Sequence, residues 1–135
     1  MTPERAWELM VAASDELAGE LGLEAPPGVF APARATAAVD LWLRERDQPL
    51  DEDGAARLAF FLARVLVETH GGGLVQIRAG GHALDGEWAV SGFERGLDRD
   101  YHVPFVIAAV RIGVDRELRA AEWYAAVARE GNSTN

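Results

Sequence analysis

Apolar side chains recur at steps of three and four through the first twenty-one residues. Trp7, Met10, Ser14, Leu17 and Leu21 fall on one side, so the pattern predicts an amphipathic helix. Thr2 suits its N-cap, Pro3 its first helical position, Glu4 the positive end of the dipole and Gly22 the C-cap. "LEAPPGVFAP" follows; its prolines and Gly28 predict a loop from which Phe30 packs back onto the core. A second helix is predicted over 33–47, with Ala35, Val39, Trp42 and Leu43 inward and a charged end that "QPL" stops. Asp51 then offers an N-cap for a third helix, "AARLAFFLARVLVETH". Leu58, Phe61, Leu62, Val65 and Leu66 make one face, and Phe60 and Val67 add a second. A helix apolar on most sides belongs at the middle of the core.

After Gly71, Gly72 and Gly73 the period drops to two. Val75 and Ile77 are predicted on one face with Gln76 and Arg78 on the other; Trp88 and Val90 stand opposite Glu87, Ala89 and Ser91. The expected hairpin has strands over about 74–79 and 87–93, turned by Gly80, Gly81 and the Asp85–Gly86 pair. A third strand is expected over 97–103. "PFVIAAVRIG" predicts a helix with Pro104 in its first turn and Gly113 at its end. Asp115 is expected to cap a last helix that stops at Gly131. Strands and helices do not alternate, so the expected class is α+β: a helical N-terminal half, a small antiparallel sheet, and two C-terminal helices. One domain over 1–131 is expected, with 132–135 a disordered polar tail.

Charge narrows the function. The formal net charge of −9 repels phosphate backbones and anionic membrane surfaces, so neither nucleic acid nor membrane is an expected partner. All 13 basic residues are Arg, which favours fixed, bidentate ion pairs. With no Cys, thiolate catalysis and disulfides are excluded. The N-terminus carries acids and no unbroken apolar run, which predicts a cytoplasmic setting.

Three histidines carry the main chemical candidate. His70 falls at the end of the central helix, His82 in the hairpin turn and His102 before a helix. Sheet pairing could bring them together near Asp85, Glu87 and Asp100, a donor set suited to zinc or another first-row metal. No established ligand spacing is present, and the alternative reading has His70 donating to the carbonyls of a negative helix end. The glycines follow a helix and precede a strand, the reverse of a dinucleotide fingerprint, and no Lys is present for a phosphate loop. No cofactor is expected. No serine has the surroundings of a nucleophile. Trp123 and Tyr124 are neighbours on one helix and cannot both point straight into the core. With Trp42 they form the expected exposed binding patch.

"LAFFLARVLVETHGGGLVQI", "GEWAV" and "VPFVIAAVRIGVDRELRAAEWYAAV" together resemble a group of small bacterial domains of unknown function. The shared pattern is a helix like "LGAYLGEVLRRRHGG", a W-V strand and an NPF-type helix start, over about Leu58 to Val127; Val103 stands where the pattern has Asn. The resemblance implies the helix–hairpin–helix order and a bacterial cytoplasm, and no activity. The expected function is therefore a non-enzymatic protein-interaction module of adaptor, chaperone or immunity type, with a basic partner or a second copy of itself. The alternative is a small-ligand or metal-binding protein, or an enzyme, built on the histidines around the sheet.

Overall fold

A computed structural model of the chain describes residues 1–24 and 26–132; residues 133–135 of the expected tail lie outside the described part. Helix α1 spans Pro3–Glu20. Thr2 caps it by accepting the Arg5 N–H at 3.1 Å. It ends in a Schellman motif: Leu23 N bonds Ala18 O, Gly22 N bonds Gly19 O, and Leu23 is buried behind them. The inward stripe is Ala6, Met10, Ser14, Leu17 and Ala18. Trp7, expected inward, is 39% exposed, because the smaller Ala6 takes the inward position of the first turn.

Helix α2 spans Pro32–Arg44, three residues short of its expected end, and buries Ala35, Thr36, Val39 and Leu43. Helix α3, Glu52–His70, starts on Asp51, whose carboxylate accepts the Gly54 N–H at 2.7 Å. Leu58, Phe61, Leu62, Val65 and Leu66 are fully buried. α3 packs against α1 and reaches α2 and the sheet, which is the central place its all-round hydrophobicity predicts. Ser14 and Arg64 reinforce the α1–α3 contact: Arg64 donates to Ser14 Oγ at 3.1 Å, and its guanidinium lies over the Phe30 ring.

The sheet is antiparallel in the order β1–β2–β3, with β1 Gly73–Gln76, β2 Trp88–Ser91 and β3 Val103–Pro104. Leu74 pairs with Val90 and both are buried, so the core face of β1 is the face of Leu74. Val75 and Ile77, expected to share one face, are half-exposed on the face opposite Leu74. Leu74 is the first side chain after the three glycines able to reach the core, and that sets the register. The third strand is two residues long rather than the expected 97–103. Backbone that would extend it is committed elsewhere: Asp98 N to Gly131 O and Tyr101 N to Asp98 O. Pro104 then brings no N–H to the ladder.

Helix α4, Phe105–Ala109, runs into a π turn, Val110–Val114. Gly113, expected to end a helix, instead sits buried inside that turn. A Cβ there would come within 2.5 Å of Leu50 Cδ1 and 3.0 Å of Leu58 Cδ2, so glycine is what lets the turn close on them. Its carbonyl accepts the Leu50 N–H at 3.0 Å. Arg116 is the one non-glycine with positive φ (+54°) among the described residues, a conformation costing about 1–2 kcal/mol. It offsets this by donating to the carbonyl of Leu43 in the last turn of α2 and to those of Arg46 and Gln48 just past it. Helix α5, Ala120–Glu130, therefore starts five residues after Asp115, its expected cap. The cap comes from α2: Asp40 accepts Ala120 N at 2.6 Å and Ala121 N at 3.1 Å. Helices in both halves around one small antiparallel sheet make the class α+β.

Candidate functional site

The last turn of α3 leaves backbone carbonyls without helical partners. The loop between β2 and β3 folds over that end and meets them. Arg95 donates from Nε to Thr69 O at 2.9 Å and from Nη2 to Glu68 O at 3.3 Å, while two backbone N–H groups reach His70 O. The His70 ring points into this junction, 7% exposed. The Arg95 carbonyl can only accept, so Nδ1 carries the proton and donates to it at 2.9 Å. Nε2 then accepts from the Tyr124 hydroxyl at 2.7 Å. A Cβ on Gly96 (φ +78°) would come within 2.7 Å of Nδ1, so the loop can lie this close only with glycine there.

Burial pushes the His70 pKa below its ordinary 6.5; the bond to the Arg95 carbonyl opposes the shift and the Arg95 charge adds to it. Burial likewise raises the Tyr124 hydroxyl. Tyr101, on the same loop, is raised by burial, then by the charge of Glu130 and a hydrogen bond to it. A neutral imidazole with both nitrogens engaged joins α3, the loop and α5. It is a structural junction rather than a free base or ligand.

His82 lies exposed in the hairpin turn, its Nδ1 accepting the Leu84 N–H at 3.1 Å. His102 lies exposed beside β3, its Nδ1 donating to Asp100 O at 2.8 Å. Among the described residues no three His, Asp or Glu side chains stand together as a metal ion would need. Nor do the three expected aromatics form an exposed patch. Trp123 is 6% exposed, because the last helix buries it with Ala120 and Val127 on one stripe. Tyr124 is half-buried against His70, with nearly parallel rings. Trp42 is half-buried under the Arg46 guanidinium, 5.0 Å from its ring centre.

The open apolar surface is elsewhere. Phe105, Ala108, Ala109 and Ile112 face inward at helical spacing, which turns Val106, Ile107 and Val110 outward at 42, 40 and 37% exposure. These are three of the six large apolar side chains left exposed among the described residues. Beside them runs a groove of about 460 Å³ between α3 and the α4–π segment, walled by Ala56, Phe60, Val106, Val110 and Val114. The charged side chains that line it are Asp51 and Glu52, both acids. A sequence signal for this face exists: a stripe through 105, 108, 109 and 112 satisfies the core and leaves the other apolar residues of "FVIAAV" without a place in it. No helix among the described residues is long and apolar enough to cross a membrane. No protein-family model matches the chain, and neither a curated protein nor a solved structure matches it.

Proposed function

We propose that the chain is a protein-interaction module of the cytoplasm whose docking surface is the α3/α4 groove, and that the partner segment is a basic amphipathic helix. One observation carries the reading: an apolar groove edged by exposed Val106 and Val110 whose lining charges are both carboxylates. A helix laid in it would bury an apolar stripe and set Lys or Arg beside Asp51 and Glu52. The surrounding charge of −9 would raise the encounter rate with such a segment. A second copy fits less well, since pairing groove to groove by a two-fold axis brings like charges together.

The test uses two synthetic helical peptides with one leucine stripe, flanked in one by lysines and in the other by glutamates. The lysine peptide is expected to shift the amide resonances of Ala56, Phe60, Val106 and Val110, and to bind about tenfold or more tightly than the glutamate peptide. Replacing Val106 and Val110 together by Asp should abolish those shifts. Equal binding of both peptides, or shifts confined to another face, removes the proposal.

A further inference from the structure

On the side of the π turn away from that groove, a second concavity of about 450 Å³ opens between the last turns of α2 and the segment leading into α5. Its floor is apolar: Leu43 and Ile112 are buried there and Leu118 is half-buried. Its lining carries three guanidiniums, Arg44, Arg116 and Arg119, against one carboxylate, Asp40. Both oxygens of Asp40 already accept N–H groups of α5. Arg116 is held at the rim by carbonyls at and just past the end of α2, donating through Nη2 alone. Arg119 donates through Nε to Glu122. The Arg44 side chain has no hydrogen-bond or ion-pair partner among the described residues. In a chain with 22 acids and 13 arginines, an unpaired Arg facing two others reverses the local sign of the field.

We propose that this cleft binds a small organic carboxylate with an apolar chain. The carboxylate lies against Arg44 and Arg119, where planar N–H forks match its two oxygens. The chain lies on Leu43, Ile112 and Leu118. The size falls within the usual range of small-molecule sites, and so does the combination of an apolar floor with a few convergent donors. This site shares no lining residue with the α3/α4 groove, so it stands independently of the interaction proposal.

The experiment is an amide-resonance titration of the full chain with octanoate, hexanol and acetate. Octanoate should shift Leu43, Ile112, Leu118 and Arg44 and saturate with a Kd of about 1 mM or tighter. Hexanol, an apolar chain without the charge, and acetate, the charge without the chain, should each bind at least about tenfold more weakly. Arg44→Gln should weaken octanoate about tenfold while leaving the melting temperature unchanged, because that side chain holds nothing within the fold; Arg119→Gln is the second variant, with the same expected loss. The proposal is overturned by no saturable shift at those residues, by hexanol or acetate matching octanoate, or by both variants binding as the parent does.

Discussion

The two ends of the central helix α3 behave in opposite ways. Its C-terminal end gathers what looks chemical in the sequence: histidine, three glycines, arginine, tyrosine. All of it is consumed internally, since His70, Arg95 and Tyr124 satisfy one another and the terminal carbonyls. Its N-terminal half faces alanine, valine and phenylalanine, which look like core, and there the surface is apolar and open. Polar groups in a closed junction are fixed by the need to pair every buried donor and acceptor. Apolar groups left outside a filled core are free to serve a partner.

If that contrast is right, the closed end should dominate stability. His70→Ala is expected to cost about 2–4 kcal/mol, combining a cavity with an unpaired Arg95 carbonyl and Tyr124 hydroxyl. Urea unfolding at neutral pH measures it; a loss below about 1 kcal/mol would break the contrast. Gly113→Ala tests the wall of the open side. Better helix propensity gains about 1 kcal/mol, but a methyl pressed against buried Leu50 and Leu58 costs more, for a net loss of about 1–2 kcal/mol. Asp40→Ala removes the distant cap of α5 and should lower stability by about 1 kcal/mol, read from the same melts.

Protonation is a gentler probe of the closed end, because it leaves the ring in place. The unfolded chain titrates His70 near 6.5 and the folded chain titrates it lower. In between, the unfolded state binds more proton, so this contribution to stability is complete above about 6.5, falls as pH drops, and levels off below the folded value. Urea midpoints followed from about pH 7.5 to about pH 5.5 should show the decline in the parent and a flatter response in His70→Gln. An unchanged slope in the variant would assign it to another group. The smallest effect belongs to the open face: Val106→Ser with Val110→Ser should stay within about 1 kcal/mol of the parent while weakening the lysine peptide.

Much of this was readable from the chain. Thr2, Asp51, Gly22 and Gly131 mark helix ends by interactions three to five residues long, and local rules see those. The class and the central place of α3 follow from periodicity alone. The misses are non-local. Asp40 caps a helix eighty residues away, and the long loop gives its N–H groups to α3 and to Gly131 instead of to β3. Adjacency on a helix says that Trp123 and Tyr124 diverge, and does not show that Tyr124 has a buried acceptor in His70. The candidate site shared that fault in both directions. The histidines are conspicuous by residue type alone, whereas the α3/α4 groove depends on which face of a short helix the core leaves over.

The π turn at Val110–Val114 is a helix carrying one residue more than its pitch requires. The extra residue is absorbed inside the turn, so the chain leaves it in the phase of an α-helix one residue shorter. A deletion in the turn can therefore be taken up as ordinary α-helix, whereas an inserted residue would turn everything downstream by about 100° about the helix axis. Arg116 would then lose the carbonyls of Leu43, Arg46 and Gln48, and Ala120 would swing away from Asp40. The π turn is slack in one direction only: between Phe105 and Ala120 the chain tolerates one residue fewer far better than one residue more.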